Sequence, residues 1–274
     1  MKTFGPEFLG SLTPRPYYWR YILTYVALLM VSTLAKIKTK GRANLPRRGP
    51  YVVACNHFSD YDPLFFSYAI RQPINFIAAS DQEVDLVFAW APYIYGWIPV
   101  DRKRLSPSTI KRSLSVLKKR EILGIFPDGG VSYNLLSKPK KGTVFLSNLG
   151  KAPIVPMAIY GAERAWEGAL KGVRSRVCIN IGKPFGPYSI FGDKKEKEDK
   201  LNRIGHEMMC RIASLLPENR RGHFKNEKAI HSFQKKNNII PDHHFYFKPT
   251  PEQSNNHRVS YSHNYATENK RSPD

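Results

Sequence analysis

The chain is short of cysteine, of acidic residues and, over most of its length, of histidine. Its 274 residues hold three cysteines, Cys55, Cys178 and Cys210, with no CxxC spacing. An odd, scattered set argues against a disulfide framework and against a cysteine-built zinc site, and reads as buried thiols in a reducing compartment. Only His57 and His206 precede residue 218, and the other six of eight histidines follow it. No HExxH pair points to a metal, and no GxSxG elbow points to a serine hydrolase.

Acid is outnumbered, with Asp+Glu 22 against Lys+Arg 43 and a net charge of +21. Such a surface expects polyanions: nucleic acid, anionic lipid or phosphorylated substrates. Residues 218–274 carry ten Lys/Arg and six Asp/Glu, so the excess belongs to the preceding part. No RNA-recognition sequence, zinc finger or helix-turn-helix pattern accompanies the charge, which argues against nucleic acid as the partner. At 42% hydrophobic and 24% charged residues, the chain has the means to build a core, and its length suits one large domain with appendages.

Long apolar runs are also scarce. The best is Tyr17 to Ala35, apolar except for Arg20 and a few Ser/Thr, followed by Lys36, Lys38, Lys40, Arg42, Arg47 and Arg48. As a helix it would extend about 28 Å, near one hydrocarbon core. Tyr17, Tyr18 and Trp19 suit an interfacial belt, and the basic cluster favours the cytoplasmic face. An interfacial helix, a full span and a buried core helix all stay open, with a membrane-associated helix as the expectation. Lysines directly after the apolar run argue against a cleaved signal peptide.

From Tyr51 onward, short apolar runs alternate with helical stretches. Tyr51–Cys55, Ile74–Ala78, Ile122–Phe126, Ile154–Ile159 and Val177–Ile181 read as buried strands. Ser106-Pro107 reads as a helix start, placing Ile110, Leu114 and Leu117 on one face to Arg120, and Lys194–Leu216 reads as a basic amphipathic helix. The expected fold class is α/β, a mostly parallel central sheet flanked by helices. The expected organisation is a leader and membrane-associated helix over 1–40, a catalytic domain over 41–217, and a polar, disordered tail over 218–274.

The sharpest feature is Asn56-His57-Phe58-Ser59-Asp60-Tyr61-Asp62-Pro63, at the carboxyl end of the first of those strands. Ligand sites in parallel sheets lie at strand carboxyl ends. His57 and Asp62 would stand about 16 Å apart if extended, so the segment must fold back for them to meet. An Asp62 that caps a helix opening with Pro63 achieves this, and its carboxylate can then orient the imidazole as it takes a proton. A His–Asp pair without Ser or Cys suits activation of a hydroxyl belonging to the substrate. A structural cap and one pair of metal ligands are the other readings of the pair.

The wider pattern resembles the glycerolipid acyltransferase family, nearest its 1-acyl-glycerol-3-phosphate acyltransferases. Gly41-Arg42-Ala43-Asn44-Leu45-Pro46 and Gly49-Pro50 precede the His57 motif, and three further motifs follow in the family's order. Gly96-Trp97-Ile98-Pro99-Val100-Asp101-Arg102 is similar to the second motif, Phe126-Pro127-Asp128-Gly129-Gly130 to the third, and Ala152-Pro153-Ile154-Val155-Pro156 to the fourth. Lys140-Lys141-Gly142 is similar to the helix start after the third. The resemblance implies His57 as general base, Asp62 as its orienting partner, and direct attack of the acceptor hydroxyl on an acyl thioester.

It further implies substrate binding by Asn56, Ser59, Gly96, Arg102, Phe126, Pro127, Asp128, Gly129, Pro153 and Pro156, with Arg102 on the acceptor phosphate. No metal and no cofactor is implied beyond the donor, acyl-CoA or acyl carrier protein. The implied acceptor is a lysolipid, 1-acyl-sn-glycerol-3-phosphate first, and anionic membrane lipid is the implied partner. The third motif departs from the family: Asp128 replaces glutamate, about 1.5 Å shorter, and Gly130-Val131 replace Thr-Arg. A phosphate-binding arginine is thus absent from its usual position. Lys103, Arg104, Lys138, Lys140 and Lys141 are the candidates to supply its charge; another hydroxylated lipid as acceptor, or a non-catalytic relative, are the alternatives. His206 reads as a surface or core-edge residue.

Overall fold

A computed structural model of the chain describes residues 3–4, 13–79, 84–85, 96–101, 105–135 and 139–242. Its centre is a seven-stranded sheet in the order β2-β9-β8-β3-β7-β4-β6. These strands are β2 (Ala35–Lys40), β3 (Tyr51–Cys55), β4 (Ile74–Ala79), β6 (Trp97–Val100), β7 (Ile122–Ile125), β8 (Ile154–Tyr160) and β9 (Ser175–Ile181). Thr3–Phe4 (β1) and Val84–Asp85 (β5) form a separate antiparallel pair. Within the main sheet every pairing is parallel except β8 with β9.

The helices are α1 (Tyr17–Leu34), α2 (Asp62–Ile70), α3 (Pro107–Lys118), α4 (Gly142–Leu149), α5 (Ala165–Leu170), α6 (Lys194–Ala213) and α7 (Ala229–Asn237). They cover both faces of the sheet, as parallel strands buried on both sides require. The period of two along β3 divides its side chains. Val52 and Ala54 pack into one core with Leu117, Val144, Met208 and Phe224, while Tyr51, Val53 and Cys55 pack into the other with Val31, Phe65, Phe66 and Ala165.

Local signals hold where they were strongest. Ser106 caps α3, its hydroxyl accepting from the Thr109 amide, with Pro107 at the first helical position. Asp193 and Glu196 form a reciprocal capping box at the start of α6. All three cysteines are free and buried.

Two expected boundaries are corrected. The division at residue 40 cuts through the folded domain, because the basic stretch after α1 is β2, whose six residues pair in parallel with Ser175–Asn180 of β9. The division at 217 fails as well. Residues 218–242 are folded: two 3-10 turns and α7 send Phe224, Ile230 and Ile239 into the same core as β3, and Arg220 and Arg221 are buried. Residues 243–274 lie outside the described part.

Helix α1 packs on the domain along one face and leaves most of its large apolar side chains outside. Its face toward the domain carries Arg20, Thr24, Ala27, Leu28 and Val31, with Arg20 pairing to Glu121 at 2.9 Å and donating to Oδ1 of the Asn75 side chain at 3.2 Å. Its outward face exposes Trp19, Ile22, Tyr25, Val26, Leu29 and Met30, Leu29 at 70%. No helix among the described residues is long and apolar enough to cross a membrane.

Candidate active site

The chain leaves the carboxyl end of β3 at Asn56, whose amide donates to the Ile159 carbonyl at 2.8 Å and accepts from the Ile159 amide at 2.9 Å. Both polar ends are thereby taken up by β8, and the side chain is fully buried. Asn56 locks two strands together at the point where the His57 turn begins, so its side chain is placed by β8.

From there residues 57–61 fold back. Asp62 is the first residue of α2, not its cap, and its carboxylate faces the preceding turn. Its Oδ2 accepts from the Phe58 amide at 2.7 Å, the Ser59 amide at 2.8 Å and His57 Nδ1 at 3.1 Å. The Ser59 hydroxyl accepts from the Tyr61 amide at 3.2 Å, so Ser59, 6% exposed, also serves the turn. The sequence expectation of a folded-back His57–Asp62 pair is met, with the donors coming from the turn itself.

Burial raises the Asp62 pKa, and the hydrogen bond and charge of His57 oppose that shift. A carboxylate at Nδ1 favours the tautomer with the proton there, which turns Nε2 toward the role of base. The ring stacks on Phe126 at 4.1 Å between centroids and 16° between planes, which sets its orientation from the second side. Its side chain is 13% exposed, reachable but largely dry.

The third motif closes around the same histidine. The Asp128 carboxylate accepts from the His57 amide at 3.3 Å, and the Ser132 amide donates to the His57 carbonyl at 2.9 Å. Pro127 is buried, and its carbonyl accepts from the Lys140 amide at 2.9 Å. Gly129 turns with φ +74°, and a Cβ there would stand 3.0 Å from Cε of Lys140. The Lys140 side chain therefore lies along the third-motif turn. Lys141 is drawn away, its Nζ 2.6 Å from Glu198 on α6. Arg102, Lys103, Arg104 and Lys138 lie outside the described residues.

The other predicted residues do not gather here. Gly96 precedes β6 on its amino side, with φ +62°, and a Cβ would meet Pro14 at 2.9 Å. Pro153 precedes β8 at the amino end of the sheet, where its carbonyl accepts from Val52, and Pro156 pairs with Ala54 inside the sheet. Gly96, Pro153 and Pro156 thus stand apart from the His57–Asp62 pair, and substrate contact by them stays what the family resemblance implies. The part of β8 level with His57 is instead Ile159 onward, leading to Glu163.

Sequence reasoning missed what stands behind the turn. Arg220 is fully buried, ion-paired with the buried Glu163, and its Nε donates to the Tyr133 carbonyl at 2.9 Å. Its guanidinium lies 4.3 Å from the Phe58 ring centre and 4.5 Å from that of Tyr133. The clamp ties together the His57 turn, the segment after the third motif, the end of β8 and the C-terminal segment. A buried arginine gives no local sequence signal; only its position in a run of polar residues marks it.

The Acyltransferase family profile matches residues 36–160, the interval that contains the His57 turn and the third motif. A protein from Bacillus subtilis (strain 168) named 1-acyl-sn-glycerol-3-phosphate acyltransferase is 30% identical over 159 residues, covering 57% of this chain and 77% of that protein. One of the same name from Streptococcus pneumoniae is 26% identical over 212 residues, 75% of this chain and 76% of that one. The crystal structure of the 1-acyl-sn-glycerophosphate (LPA) acyltransferase PlsC from Thermotoga maritima shares the fold, with a TM-score of 0.50 at 18% identity, over 74% of this chain and 84% of that chain. With a dry, oriented His57–Asp62 pair at the carboxyl end of a mostly parallel sheet and relatives of this extent, the chain belongs to the acyltransferase family.

Proposed function

We propose that the protein transfers a fatty acyl group from an acyl thioester, acyl-CoA or acyl-acyl carrier protein, to the free hydroxyl of 1-acyl-sn-glycerol-3-phosphate, giving phosphatidic acid. The observation that carries the reading is the His57–Asp62 pair, Nδ1 to Oδ2 at 3.1 Å. The names of the curated relatives supply the acceptor. As the acceptor oxygen attacks the thioester carbonyl, His57 Nε2 takes its proton, and the Asp62 carboxylate stabilises the imidazolium. Collapse of the tetrahedral intermediate expels the thiolate, which receives that proton from His57, and no acyl-enzyme forms. A thioester has a good leaving group, so a positioned alcohol and a base suffice, with donors for the oxyanion.

Phosphate recognition falls to Arg102 and, in place of the missing third-motif arginine, to Lys140, whose stem lies along Gly129. Asp128 suits this rearranged motif, since its short side chain reaches the His57 amide. The acceptor and product are lipids, and the outward apolar face of α1 is the part that would rest in the bilayer interface. Lys36, Lys38 and Lys40 beyond it suit anionic headgroups on the cytoplasmic face.

The test is acyl transfer from a labelled thioester on mixed vesicles, over lysophosphatidate, larger-headgroup lysophospholipids and monoacylglycerol. Transfer chiefly to lysophosphatidate is expected, and His57→Ala should lower it by about 10²–10⁴-fold or more. Lys140→Ala should raise KM for lysophosphatidate and leave that for monoacylglycerol unchanged. Activity retained in His57→Ala would remove the general base, and preference for a larger headgroup would reassign the acceptor. Leu29→Glu should weaken sedimentation with anionic vesicles by about tenfold or more, since an exposed leucine contributes roughly 1.5–3 kcal/mol when fully buried; unchanged binding would remove α1 from the interface.

A further inference from the structure

Helix α6 carries a second constellation that the acyl-transfer reading leaves unused. His206 and Cys210 are four residues apart on α6, so both project from one face. Glu227, in the segment between Phe224 and α7, reaches the same point, its Oε1 3.2 Å from Nε2 of His206. The imidazole, thiol and carboxylate ligand atoms all lie within 4.8 Å of one another.

We infer that His206, Cys210 and Glu227 form a structural site for a transition-metal ion of the zinc type, fastening residues 218–242 onto α6. Zinc bonds of about 2.0–2.3 Å set ligand atoms roughly 3.3–3.8 Å apart around a tetrahedral ion, within small side-chain adjustments of the observed spacing. The donor set is one imidazole nitrogen, one sulfur and one carboxylate oxygen, the kinds such an ion takes. The fourth position falls to water on the side where the His206 side chain is 51% exposed, while Cys210 closes the inner side at 2%.

Burial first, and then the carboxylates of Glu227 and Glu207, push the Cys210 thiol up to about 12. Binding an ion there would take the sulfur as thiolate and release its proton. Ring contacts of Phe224 with His206 at 5.5 Å and His223 at 5.6 Å steady the mouth of the site. A search for paired cysteines overlooks this arrangement, because one thiol, one histidine and one carboxylate meet only through the chain reversal after α6.

Cobalt(II) titration of the full-length protein, purified without an affinity tag under reducing conditions, tests the site. Stoichiometric binding with a thiolate-to-cobalt charge-transfer band and tetrahedral d–d bands is expected, with displacement by zinc. Cys210→Ser should abolish the charge-transfer band. His206→Ala, at an exposed position that does not threaten folding, should weaken cobalt binding by at least about 100-fold, since even outer partners of a metal site are worth 10–100-fold. Zinc should raise Tm in the wild type and not in His206→Ala. Absence of the band, or a band and a zinc-induced Tm rise unchanged in His206→Ala, would overturn the inference, and neither outcome bears on acyl transfer.

Discussion

The turn that holds His57 and the clamp behind it are both buried polar constructions, but they are specified over very different distances along the chain. In the turn, every donor to Asp62 comes from residues 57–59, three to five positions away. In the clamp, Arg220 and Glu163 are 57 positions apart and join the turn after β8 to the segment after α6. A local network forms whenever its short segment adopts one backbone path, and it can be read as a motif. A distant pair exists only once the sheet and the last helix are in place, so it reports on the whole fold.

Breaking the clamp should cost the most stability. Arg220→Met leaves the Glu163 carboxylate buried and unpaired, an arrangement that typically costs about 3–5 kcal/mol. The double variant Arg220→Met, Glu163→Leu should be less destabilised than Arg220→Met alone, because it removes the orphaned charge as well. Urea unfolding of the two variants beside the wild type checks this. Equal losses would mean that packing of the guanidinium on Phe58 and Tyr133, not the ion pair, holds the segments together.

The turn should respond less, and in a pH-dependent way. Asp62→Asn keeps an oxygen to accept from the Phe58 and Ser59 amides and removes the titrating carboxylate. Burial raises the Asp62 pKa, so the unfolded chain gives up this proton at lower pH than the native one. The wild type therefore loses stability relative to the asparagine variant as pH rises from the ordinary carboxylate value through the folded one. Paired denaturation curves across that range should show the gap between the two narrowing toward higher pH. A gap that widens would mean the His57 contacts outweigh burial.

Legibility followed the same division. The five apolar runs became β3, β4, β7, β8 and β9, since continuous Val/Ile-rich segments have few alternatives to a buried strand. Ala35–Lys40 was hidden because Lys36, Lys38 and Lys40 read as a basic cluster, although the alternation with Ile37 is that of an edge strand. Trp97–Val100 was read for its motif and not for its strand. Residues 218–242 were hidden by their polar composition: Phe224, Ile230 and Ile239 enter a core that other elements build, too far apart to make a periodic pattern.

The sequence by itself determined the α/β class, the principal strands and the His57–Asp62 pair, because each depends on neighbours within a few residues. Tertiary structure alone decided that the Asn56 side chain bonds β8, that Gly96 and Pro153 stand away from His57, and that Arg220 meets Glu163 behind it. It also turned the apolar face of α1 outward by giving Arg20 a buried partner in Glu121. The physical reason is common to all of them: a polar group's role follows from which partner reaches it first, and in a packed sheet that partner is chosen by strand order.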